Sequence, residues 1–71
     1  MTASTKARRL EAAWEELTKA SRARAEADRR VYEARQRFDA IGFVHAKAVL
    51  YTAECAVDKV LDKIAAIEAE P

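Results

Sequence analysis

The sequence predicts an all-α fold: two long helices folded into an antiparallel hairpin. Three observations predict it. The chain has one Gly, one Pro at its very end, and is dominated by Ala, Glu, Arg, Lys and Leu, residues that favour helix and disfavour strand. Apolar residues recur with a seven-residue period in both halves. The two periodic series are out of phase, and the lone glycine, Gly42, stands between them.

The first helix is expected over about 5–41. Leu10, Leu17, Arg24, Val31 and Phe38 occupy the a position, with Ala13, Ala20, Ala27, Ala34 and Ile41 at d. The second is expected over about 43–69, with Phe43, Leu50, Val57 and Ile64 at a, and Ala46, Ala53, Val60 and Ile67 at d. The step from Phe38 to Phe43 slips the phase by two residues. On one continuous rod that would rotate the apolar stripe by roughly 200° and send its halves to opposite sides.

A turn at Gly42 removes the conflict, because Gly after an apolar-periodic segment is the favoured residue just past a helix end. Phe38 and Phe43 would then make the apolar contact of a Schellman ending. Reflection about residue 42 sets Phe38 against Ala46, Ala34 against Leu50, Val31 against Ala53, Ala27 against Val57, Arg24 against Val60, and Ala20 against Ile64. Large faces small in most layers, the pattern that lets layers interdigitate. No Ser, Thr, Asn or Asp follows Gly42 to cap the second helix, which keeps one long kinked helix in a coiled-coil assembly as the alternative. Residues 1–71 form a single domain, with 1–4 and 70–71 expected to fray.

Seventy-one residues give a small core, at a size where a second subunit is a common remedy. Cys55 and His45 are each the only residue of their type, so neither a disulfide within the chain nor a zinc site of the usual kind is expected. Cys55 is read as a small apolar residue in a reducing, cytoplasmic setting, and His45 as a surface residue. The apolar runs are only a few residues long, so neither a transmembrane span nor a secretory signal is expected.

The second helix carries more apolar surface than one seam can use: Val49 and Ala56 lie at g, Leu61 at e, and Val44 and Tyr51 at b. In the register about Gly42, Leu10, Ala13 and Trp14 project beyond its end. These features predict a homodimer, a four-helix bundle or a higher oligomer. The expected anchors for self-association or for a protein partner are Leu10, Trp14, Leu17, Val49, Tyr51 and Leu61.

Net charge is +1, yet all eight arginines lie in the first forty-two residues. Arg22 and Arg29 fall at f, and Arg30 and Arg37 at g, forming a strip that could bind a polyanion. Acids interrupt it at i,i+4 spacing: Glu26 between Arg22 and Arg30, and Glu33 between Arg29 and Arg37. A solvated, self-paired face is therefore the first reading of the strip. Arg24 intrudes at a core position and is expected, with Asp28 as its partner, to set register or specificity. Glu54, Asp58 and Asp62 form a row of like charge on the second helix, which makes sense beside a cation.

No nucleophile–base pair, metal set or glycine-rich phosphate loop is present, and a narrow hairpin offers no concave site. An enzyme is not expected, and no cofactor. The leading expectation is a homo-oligomeric interaction protein, a small regulator or inhibitor of a larger protein. In size, antiparallel pairing and large-small layering the chain also resembles the Rop-type plasmid RNA-binding dimers. That resemblance covers architecture over about sixty residues, shares no motif, and implies an RNA-binding face on paired first helices. Binding of a small nucleotide or signalling molecule between subunits is a further alternative.

Overall fold

The computed structural model describes residues 2–71, with side chains from Thr5 onward. Two helices account for almost all of it: α1, Thr2–Gln36, and α2, Ala40–Glu68. They pack along their lengths as a hairpin about 55 Å long and little wider than two helices, with Cα extents of 55 × 14 × 11 Å. The hairpin, not the long kinked helix, is thus the architecture of the chain. The backbone is already helical at Thr2, three residues ahead of the expected start; the fraying expected at Met1 lies outside the described residues.

The turn differs from expectation. It lies at residues 37–39, not at Gly42, so α1 ends at Gln36, not near 41, and α2 begins at Ala40, not at 43. Phe38 adopts φ 56°, the left-handed conformation. Its N–H donates to the Arg35 carbonyl at 3.2 Å, and the Asp39 N–H donates to the Ala34 carbonyl at 3.0 Å. This pair of bonds is a Schellman ending with Phe38, not Gly42, in the position that glycine usually takes.

Asp39 then caps α2. Its backbone is extended, its Oδ1 accepts from the Gly42 N–H at 2.9 Å, and its carbonyl accepts the first helical bond from the Phe43 N–H at 2.8 Å. The capping residue absent after Gly42 thus stands three residues before it. Gly42 lies in the first turn of α2 without a positive φ. Its use is steric: a Cβ there would collide with the Asp39 carboxylate.

Moving the turn changes which residues face each other. The reflection point falls between Phe38 and Asp39, which slides α2 along α1 by one heptad relative to the expected register. The seam still consists of a and d residues, but every layer has a new partner: Leu10 with Ile67, Ala13 with Ile64, Leu17 with Val60, Ala20 with Val57, Arg24 with Ala53, Ala27 with Leu50, Val31 with Ala46, and Ala34 with Phe43. The core cluster reflects this register. Ala13, Ile64 and Ile67 are buried, and Leu10, Leu17 and Val60 pack against them. Two cross-helix ion pairs on the g edge agree with it, Arg9 with Glu70 and Glu16 with Lys63.

The best-buried part of the core therefore sits at the open end, far from the turn. There Lys6 Nζ donates to the carbonyls of Glu68 and Glu70 at 3.3 and 2.6 Å, satisfying acceptors that the end of α2 leaves free. Glu70, where a frayed end is expected, accepts two hydrogen bonds from the Arg9 guanidinium at 2.6 and 2.8 Å. Leu10 and Ala13 do not project past α2.

Candidate interaction surface

The surface is set by what the seam leaves over. On α2 the seam takes the a and d positions, and on nearly the opposite side the b and f positions form a second stripe: Ile41, Val44, Ala48, Tyr51 and Cys55. These residues follow the three-then-four spacing that keeps side chains on one helical face. Ile41 is 85% exposed, Val44 68% and Tyr51 70%, while Cys55 is half-buried. At the turn Phe38 continues the apolar surface, 94% exposed. Toward the C-terminus the stripe becomes acidic at Asp58 and Asp62.

By length and composition α2 is long and apolar enough to cross a membrane, and only 11% of its most apolar window is buried. Charged residues occur in every turn of α1, which packs along it. The uncovered apolar face thus belongs to a helix that already has a charged neighbour.

The six expected anchors do not form one patch. Leu10 and Leu17 are half-buried in the seam, because the one-heptad shift brings α2 up to cover them. Trp14 and Leu61 are both half-exposed and fall on the e edge of the hairpin. Val49 lies on the opposite g edge, where it lines a shallow groove with Arg30, Arg37 and His45. Tyr51 alone belongs to the outer stripe. Phe38 and Ile41, expected in the seam of the first helix, instead lie on the surface, because the turn comes before Ile41. The signal for the stripe was nonetheless present as a second heptad series in α2.

The arginine strip is largely self-neutralised in its middle. Arg29 pairs with Glu26 at 2.7 Å and Glu33 at 3.4 Å, and Arg30 Nε reaches Glu26 at 3.4 Å. The hydrogen bond from Arg29 holds the Glu26 carboxyl below its usual range, and the bond to Glu26 raises Arg29 in turn. At the open end the Arg9 hydrogen bonds likewise lower Glu70, and Glu70 raises Arg9. Arg22 and Arg37 have no carboxylate partner among the described residues.

Arg24, expected to intrude into the core, does not do so. It is exposed, opposite the small Ala53, not Val60, and it edges a shallow groove with Ser21, Asp28, Leu50 and Glu54. Neither Asp28 nor Glu54 forms an ion pair with it. The acidic row of Glu54, Asp58 and Asp62 is exposed as well, and no cation within the described chain pairs with it. Among the described residues no three His, Cys, Asp or Glu side chains converge to hold a metal ion.

No protein-family model, no curated protein and no solved structure matches the chain.

Proposed function

We propose that this protein is a non-enzymatic helical interaction protein that acts by presenting α2 to another polypeptide. The observation that carries the reading is the exposed stripe Ile41, Val44, Ala48 and Tyr51, ending at half-buried Cys55, on a helix whose other side is already packed. Burial of apolar area is the main favourable term in association, at about 25 cal/mol per Å² removed from water. A contiguous stripe of large side chains supplies that term where scattered surface residues do not. The unpaired acids at its C-terminal end add a means of choosing a partner. A regulator or inhibitor needs no more than this: a rigid hairpin with one adhesive face.

A photocrosslinking residue introduced at Tyr51, with a control at Thr18 on the outer side of α1, tests the reading in the native cell. Covalent polypeptide adducts at position 51 and none at 18 are expected. Equal labelling at both positions would refute the assignment of the face.

The arginine strip supports a nucleic-acid role less well, since Glu26 and Glu33 hold Arg29 and Arg30. Such a role would give an affinity that falls steeply with salt and depends on Arg22 and Arg37.

A further inference from the structure

We infer that the occupant of the α2 stripe is a second copy of the same helix, docked antiparallel in one register, in which Lys47 of each chain pairs with Glu54 of the other. The inference rests on the reading above and names the partner of that same face.

The stripe has the spacing of a second coiled-coil seam, with Ile41, Ala48 and Cys55 at one position and Val44 and Tyr51 three residues on. In an antiparallel pair the two positions face each other across the axis. Charge then selects the register. Lys47 and Glu54 flank the stripe on one side, one heptad apart, and neither has an ion pair within the described chain. A parallel pair would put Lys47 and Glu54 on opposite edges from their own copies and would stack Asp58 on Asp58 and Asp62 on Asp62 across the seam. Antiparallel docking one heptad to either side of the chosen register would oppose Lys47 to Lys47, or Glu54 to Glu54. Only the intermediate register joins Lys47 to Glu54, and symmetry makes the contact twice.

The same register gives well-matched layers. In the middle Val44 faces Cys55 and Ala48 faces Tyr51, each twice, setting a larger side chain against a smaller one, while at each end Ile41 faces Asp58. It also accounts for the acidic row. Asp58 and Asp62 fall beside the first turn of the partner's α2 and its preceding Arg37. That helix start already carries Asp39 as its N-cap, so Arg37 is the cation that the partner's acids would meet there. Because the stripe lies nearly opposite the α1 seam, the dimer is an open four-helix layer with both α1 helices outermost, rather than a closed square bundle.

Cys55 reports the geometry directly. In the inferred dimer the two Cys55 residues lie eleven positions apart along the axis, roughly 16 Å, beyond the span of a disulfide. Each instead shares a layer with Val44 of the other chain. The full chain and its Val44→Cys variant are treated with oxidised glutathione and resolved without reductant, with light scattering of the untreated proteins. The expected result is a dimer by scattering, a covalent dimer in Val44→Cys, and none in the native chain. Lys47→Glu should weaken association about tenfold, and Lys47→Glu with Glu54→Lys should restore it, since symmetry makes each swap act on two rim pairs at once. Both positions are exposed and outside the buried layers, but Glu54 borders the groove with Ser21, Arg24 and Asp28 of α1, so helical circular dichroism of each variant is recorded to show that the hairpin itself is intact.

A native chain that crosslinks through Cys55, or a dimer that Val44→Cys fails to lock, overturns the antiparallel register and leaves the interaction reading standing. A monomer at high micromolar concentration overturns self-docking altogether. The interaction reading then stands or falls by whether position 51 captures a different polypeptide.

Discussion

The two ends of the hairpin are built on different terms. At the open end Ala13, Ile64 and Ile67 are buried, Lys6 occupies the terminal carbonyls of α2, and Arg9 grips Glu70. Near the turn the seam layers of Val31, Ala34, Phe43 and Ala46 are only half-buried, while Phe38, Ile41, Val44 and Tyr51 face outward. One end is closed by its own residues, and the other is held by backbone geometry and a single carboxylate. The best-buried core and the uncovered apolar surface are thus concentrated at opposite ends.

The largest effect that would break this contrast is truncation in the open-end core. Ile64→Ala should cost ~2–5 kcal/mol, enough to unfold much of a hairpin this small, whereas Val44→Ala should leave the hairpin's own helicity nearly unchanged. Thermal melts followed by circular dichroism at low protein concentration compare the two. If Val44→Ala proved equally costly there, the turn end would hold a core after all.

The cap at the turn comes next. Asp39→Ala removes the side-chain acceptor for the Gly42 N–H and should cost about 1 kcal/mol in urea unfolding. Phe38→Gly should act in the other direction, gaining ~0.5–1 kcal/mol, because glycine takes the left-handed conformation without the steric cost borne by Phe38. A loss with Phe38→Gly would mean that the ring makes a stabilising contact despite its exposure.

The smallest expected effect is acid sensitivity. The carboxyls of Glu26 and Glu70 are held below their ordinary 4.5 by arginine hydrogen bonds. Each contributes stability that is fully present above the ordinary carboxylate range and is lost as pH falls through the lowered value. The melting temperature should therefore decline on acidification below about pH 4.5, and less so in Glu70→Gln, with added salt flattening both curves.

Most of the secondary structure is legible in the sequence, because the heptad series of Leu10 to Ala34 and Phe43 to Ile67 can be counted directly. The turn is not. Gly42 is the strongest local punctuation in the chain and draws the turn toward itself, yet its work is to leave room for Asp39. Two weaker signals mark the true position: Asp39 three residues ahead of Gly42 as an N-cap, and the phase slip that begins after Phe38. A phenylalanine in the left-handed conformation has no signature in composition or period. The misplaced turn carries over to the surface. It leaves Leu10 and Ala13 apparently unsupported, puts Arg24 opposite Val60, and enrols Ile41 in the wrong helix's seam. The excess apolar circumference of α2 is readable without the register, and it is the feature on which the proposed function depends.

The one-heptad offset has a further consequence for how this chain specifies its fold. Seven-residue periodicity works like the teeth of a ratchet: sliding α2 by a full notch returns a and d residues to the seam, and layers of large against small arise in either setting. The repeat alone is nearly degenerate between the two. The choice is made by the pawl, the three residues Arg37, Phe38 and Asp39, which fix how many residues are spent in reversing direction. Insertions or deletions there should move the helices past one another in discrete notches and bring different side chains into the core, whereas substitutions along the teeth mostly change how firmly a given notch holds.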